Sequence, residues 1–353
     1  MASAMRTRWI PAVVLLVVTV LIWRWRRQPP QYSAAYVGDQ SAILWNTTAQ
    51  VRRQVGALRF GEKVAVLRRS GDDAEVRSDD GIQGWIDARL LMAPELWMRA
   101  SDLLASVRTM PVQANGHTRT LSNVHVEPSR DAPRLFQFER NVPVVVLERR
   151  VNAVPEATQV ASQEGSATSD EQKPKQEDWL LVTRAEPAKP DASQASAGVL
   201  AARGENPDAG ADIPIAGWVL ARFIELDPPS PISDYASSSG LHVVAWAVLN
   251  RVSDAGSDRP QYLVAGTHGG EGQPCDFTAL RVYTWGAARN RYETAYVESD
   301  LCGRFPIRAT GTPSGAEFRF AELDENGAER VYQMKQTVVR RVRGGKPSPR
   351  ARG

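Results

Sequence analysis

The stretch Gly266-Thr267-His268-Gly269-Gly270-Glu271-Gly272-Gln273-Pro274-Cys275-Asp276 gathers the residue types that could do chemistry. A Cys275 thiol with His268 as base and Asp276 as orienting carboxylate would give a hydrolase its nucleophile. His268 and Glu271 would make half of a metal site. Neither constellation is complete. No local cysteine-protease signature surrounds Cys275, and the glycines do not follow a phosphate-loop spacing. The plainer reading is a flexible β-connection closed by a disulfide between Cys275 and Cys302, the chain's two cysteines. An even pair in one late domain fits an oxidising compartment; two buried free thiols are the alternative. His117, His125 and His242 are scattered without metal spacing. The expectation is a protein without catalytic residues, metal or cofactor, the His268–Cys275 hydrolase being the third reading.

Aromatic side chains are the other candidates. Gly84-Trp85-Ile86-Asp87-Ala88-Arg89-Leu90-Leu91 returns as Gly217-Trp218-Val219-Leu220-Ala221-Arg222-Phe223-Ile224, with Gly, Trp, Ala and Arg in register. Trp85, Trp218 and the similarly placed Trp179 are candidate ligand-binding residues, able to wall a shallow groove for stacking or for a proline face. The weightier alternative is that each is a core piece of a small barrel. A phrase used twice points to a binding or assembly module rather than an active site.

The elements that must position these residues follow from the rest of the chain. Its 353 residues allow two or three domains. A hydrophobic content of 42% and a charged content of 24% are those of globular protein. A net charge of +3 gives no reason to expect nucleic acid. Residues 9–23 are uncharged and almost wholly apolar, with Arg6 and Arg8 before and Arg24, Arg26 and Arg27 after. The run falls short of the ~20 residues that usually span a bilayer, but flanking arginines can snorkel. Residues 1–28 therefore read as a single-pass membrane anchor; a cleaved signal and a buried helix are the alternatives. The arginines nearly balance across the segment, so orientation rests on the cysteine pair, which tilts the body to the periplasmic or extracytoplasmic side.

The first module spans 34–92, with Lys63 to Arg68 as its clearest alternating strand. Residues 93–108 change to helical spacing, with apolar residues at Leu96, Ala100, Leu103, Leu104 and Val107; this linker helix suits either neighbour. The second module spans 112–227, interrupted by two polar stretches, 151–177 and 187–213, too poor in apolar residues for a core and read as disordered inserts. Asp227-Pro228-Pro229-Ser230-Pro231 reads as a stiff linker. Residues 234–343 read as an all-β domain, with an Asn326-Gly327 hairpin signal and a last strand from Arg330 to Arg343. Residues 344–353 are a basic tail.

The two modules resemble bacterial SH3-like domains. The second carries Asn123-Val124-His125-Val126-Glu127-Pro128, then Val144 to Leu147, Trp179 to Val182 and Gly217-Trp218-Val219. It departs at His125, where arginine is usual. The first carries Gly61 with Val64 and Gly84-Trp85-Ile86, but Trp45-Asn46-Thr47 is a faint opening and Asp73 to Val76 lacks the tryptophan of the third strand. The resemblance covers about half the chain and stops before the last domain. It implies a mainly β chain of two small barrels joined by a helix. It also implies an envelope-facing binding protein, and with no complete catalytic constellation the expectation is a non-catalytic one that binds peptidoglycan or partner proteins. An assembly protein without a wall ligand is the alternative.

Overall fold

A computed structural model describes residues 32–154, 176–184, 214–254, 256–312, 315–323 and 329–342. The anchor at 9–23, most of both inserts, Asn326-Gly327 and the basic tail lie outside the described residues. Among the described residues no helix is long and apolar enough to cross a membrane. The protein is mainly β, and the chain divides into two compact units, the first made of residues up to Val37 with Ser41–Leu91 and the second of Gly38–Gln40 with the residues from Met92 on.

The first unit holds a barrel-like sheet of seven strands: β1 (Ser33–Val37), β2 (Ser41–Trp45), β3 (Gln54–Arg59), β4 (Lys63–Ser70), β5 (Asp73–Ser78), β6 (Gln83–Asp87) and β7 (Leu91–Met92). Their spatial order is β3-β2-β6-β5-β4-β1-β7. Period-2 alternation puts Val64, Val66, Ala74, Val76 and Ile86 inside with Val37, Leu44 and Leu58. A bulge at Leu67 shifts the register between Val66 and Arg68.

The second unit opens with α1 (Pro94–Val107), then β8 (Ala114–Thr118), β9 (Ser122–His125), β10 (Arg134–Phe138), β11 (Pro143–Ala153), β12 (Gln176–Arg184), β13 (Ala216–Leu220) and β14 (Ile224–Leu226). The strand order, β10-β9-β13-β12-β11-β8-β14, repeats that of the first sheet strand for strand. The bulge recurs between Val146 and Glu148, and a single 3-10 turn precedes the last strand in both, at Ala88–Leu90 and Ala221–Phe223. Where the first sheet turns at Gly61 with φ 77°, the second uses Asn141 at φ 61°, a residue that tolerates the left-handed region. Strands β11 and β12 pair from Val144–Arg184 out to Ala153–Gln176, so the edges of the stretch 151–177, read from sequence as disordered insert, are strand.

Residues 227–231 are not a linker throughout: α2 (Ser230–Ser237) begins within them, with Pro231 in its first turn, where no hydrogen bond is lost. Then come β15 (His242–Asp254), β16 (Ser257–Thr267), β17 (Ala279–Gly286) and β18 (Arg291–Glu298), a four-stranded antiparallel meander. A second meander follows: β19 (Gly303–Thr312), β20 (Gly315–Glu322), β21 (Glu329–Lys335) and β22 (Val338–Val342). The expected single strand from Arg330 is a hairpin, turned at Gln336 with φ 55°. Leu249, Leu263 and Val282 of one meander share a core with Ile307, Phe318 and Tyr332 of the other. Gln113 ties the second barrel to both meanders. Its amide accepts from Ile307 N–H at 2.8 Å and donates to Ile307 O at 3.2 Å, while its carbonyl accepts from Trp246 N–H at 2.9 Å.

Candidate binding face and the loop at Cys275

In the first barrel, Arg68 of β4 pairs with Glu75 of β5, Glu75 with Trp85 of β6, and Trp85 with Trp45 of β2. Directly paired residues point to the same side of a sheet, so these four form one row across the outer face. The equivalent row in the second barrel is Glu148–Leu181–Trp218–His125. The repeated Gly-Trp phrase now has a physical cause. A Cβ on Gly84 would lie 3.0 Å from Trp45 O and 2.8 Å from Val55 Cγ2; on Gly217 it would lie 2.9 Å from His125 O and 2.3 Å from Val124 Cγ1. Only glycine lets β6 cross β2, and β13 cross β9, closely enough to set the tryptophan beside its neighbour in the row.

The two rows meet opposite fates. In the second barrel Leu103, Leu104 and Val107 of α1 cover Leu181, Trp179 and Trp218. Trp179 is 2% exposed and Trp218 3%; Arg150 stacks over the Trp218 ring at 4.9 Å, and His125 meets Trp179 edge-on at 5.4 Å. Trp179 and Trp218 are thus buried side chains of the second barrel's core. In the first barrel Trp85 and Trp45 stay half-buried. Glu75, in the place of Leu181, accepts from Arg68 Nε at 2.6 Å and Gln83 Nε2 at 2.8 Å. The Gln83 bond first, then Arg68, outweigh desolvation and hold its carboxyl below the usual range. Arg68 lies over Trp85 at 4.9 Å, Arg52 over Trp45 at 4.3 Å and Arg77 over Tyr32 at 5.7 Å. Arg52 and Tyr32 were not singled out from sequence, and Trp45 was noted only as part of a faint module opening, not as a site residue; aligning it with His125 across the repeat is the signal that places it in the row.

Cys275 and Cys302 form a disulfide, so the thiol-nucleophile reading has no free sulfur to attack with. His268 donates from Nδ1 to Gly240 O at 3.0 Å. Asp276 does not orient a histidine: it accepts from Arg149 Nη1 at 3.0 Å and Phe305 N–H at 2.7 Å. Arg149 of β11 places every donor: two on Asp178, one on Asp276, and one each on the carbonyls of Gln273 and Cys275. Burial pushes the Asp276 carboxyl up, against the pull of Phe305 N–H, Arg304 and Arg149. A cavity of about 300 Å³ beside this clamp is lined by Asp178, His242, Thr267, Glu271 and Asp276 among others. No cluster of metal-binding side chains occurs among the described residues.

No protein-family model and no curated protein matches the sequence. Among solved structures, the chain is similar to an NlpC/P60 family protein from Bacillus cereus at 11% identity and TM-score 0.21, covering 76% of this chain and 94% of that one. It is also similar to NlpC2 from Trichomonas vaginalis at 11% identity and TM-score 0.17, covering 77% and 97%. Likeness at these TM-scores carries no argument about fold or activity.

Proposed function

We propose that this chain is a non-catalytic, membrane-anchored protein of the cell envelope, its two barrels being SH3-like modules of which the first binds and the second braces. The observation that carries this reading is the contrast between the equivalent rows. One is closed by the protein's own helix; the other presents two tryptophans, a carboxylate, an amide and guanidiniums on one open face. The disulfide supports a body on the oxidising side of the membrane. The test is co-sedimentation of the detergent-solubilised full chain with peptidoglycan sacculi. The expected result is pelleting that Trp85→Ala abolishes; no pelleting of the wild-type chain sinks the wall reading. The covered row favours a second reading, assembly without a wall ligand, because α1 demonstrates that this face of the barrel accepts a protein helix. Envelope proteins cross-linked to Trp85-side residues in cells stripped of wall would support it.

A further inference from the structure

Resting on the reading that the first module binds through its open row, we infer that its ligand is an anionic glycan, its carboxylates taken by Arg52, Arg68 and Arg77 and its sugar rings lying against the margins of Trp45 and Trp85 that the guanidiniums leave uncovered. Three guanidiniums lie against three rings on one face: Arg52 on Trp45, Arg68 on Trp85 and Arg77 on Tyr32. A guanidinium laid flat on a ring keeps its edge N–H groups turned outward, in the fork that fits a carboxylate. These donors are largely unspent. Arg68 gives Nε to Glu75, and its side chain remains 66% exposed. Arg77 reaches Gln83 at a long 3.4 Å. Arg52 has no anionic partner among the described residues. Glu75 is the one carboxylate in the row, and both its oxygens are occupied within the face; of the two further carboxylates beside the row, Asp73 and Asp87, Asp87 is held by Arg89.

The same face is unsuited to an extended acidic peptide. Strands β4, β5, β6 and β2 each have a neighbour on both sides, so no edge is free for strand addition. The row runs across four strands, about 14 Å at the usual strand spacing, the length of a short oligosaccharide. Beside the rings and guanidiniums, Gln83 Nε2 spends one N–H on Glu75 and has its second for a sugar hydroxyl.

The experiment is calorimetric titration of the detergent-solubilised full chain with an uncharged chitooligosaccharide, with its 6-carboxylated counterpart and with an acidic peptide, at low and high salt. The carboxylated sugar is expected to bind about tenfold tighter than the uncharged one, the gain vanishing at high salt and in Arg52→Gln/Arg77→Gln. These side chains are exposed, so the double variant should keep the wild-type melting temperature. Equal, salt-insensitive affinity for both sugars, lost in Trp85→Ala, overturns the anionic assignment and leaves the binding face standing. Binding of the acidic peptide alone overturns the glycan. No binding in any arm overturns the binding face and the inference together.

Discussion

Arg149 on β11 and Asp276 in the disulfide loop meet at 3.0 Å with side chains 8% and 3% exposed, and so join the second barrel to the C-terminal meanders. With Asp178 paired to the same guanidinium at 2.8 Å, removing Arg149 strands two buried carboxylates. Arg149→Met should cost about 3–5 kcal/mol. Adding Asp178→Asn and Asp276→Asn should recover part of that, because the charges left unpaired are the larger penalty. Urea unfolding of the three proteins measures it, and a loss below about 1 kcal/mol would place the clamp in the class of exposed pairs.

Glu177 sets an acid limit. Its side chain is 3% exposed and held by Arg130 and Arg222. Burial raises its carboxyl, the two arginine bonds lower it further, and the net position is below the ordinary 4.5. A folded value below the unfolded one means that the folded state holds fewer protons. The contribution is therefore present above about pH 4.5 and lost as the pH falls through the folded value. Unfolding free energies of wild type and Glu177→Gln, compared from pH 6 down to about pH 2, should converge toward the acid end. A constant difference would mean that Glu177 is not the group responsible.

Much of the barrel fold is legible in the chain because its cause is local. Alternation from Lys63 to Leu67 and from Pro143 to Leu147 writes the strands, Pro94 and the apolar spacing to Val107 write the helix, and Gly84 and Gly217 are read as a repeat because backbone contact demands them. What is hidden depends on partners distant in sequence. The apolar stripe of Leu103, Leu104 and Val107 carries no address, so its docking on Trp218 rather than Trp85 cannot be read from spacing. Arg149 in a strand looks like any solvated arginine until Asp178 and Asp276 are brought to it. Pro228-Pro229-Ser230-Pro231 reads equally well as linker and as helix start, since proline suits both.

The close crossings make the glycines of the repeated phrase irreplaceable. Alanine at 217 would put a Cβ 2.3 Å from Val124 Cγ1 and 2.9 Å from a backbone carbonyl, whereas at 84 the nearest atoms lie at 2.8 and 3.0 Å. Both substitutions should destabilise by about 1–3 kcal/mol, as overpacking does, with Gly217→Ala the worse of the two. Thermal melts of the full-length variants decide the order; equal or reversed effects would mean that β9 yields more easily than β2.

The Cys275–Cys302 bond closes a loop with a sequence separation of 27. Chain-entropy reasoning assigns such a cross-link about 3–4 kcal/mol. Cys275→Ser/Cys302→Ser should lower the unfolding free energy by that amount in non-reducing buffer and become insensitive to added reductant. Thiol labelling in intact cells adds the compartment: both sulfurs should resist labelling until reduced. Immediate labelling would place the domain on the reducing side and withdraw the envelope reading.

The sharpest division between binding and bracing lies in the two repeated tryptophans. Trp218 packs beneath α1 with Leu181 and Val107, so Trp218→Ala opens a cavity in the core and should cost about 3–5 kcal/mol. Trp85 is half-buried in a row that no described helix of its own unit covers, so Trp85→Ala should cost far less stability and remove ligand binding instead. Denaturant unfolding and sacculus co-sedimentation of both variants make the comparison. The expected pattern is reciprocal: Trp218→Ala folds poorly but, below its melting temperature, pellets like wild type, while Trp85→Ala folds well and stays in solution. If Trp218→Ala loses pelleting while still folded, the second barrel takes part in binding and the division of labour between the modules is wrong.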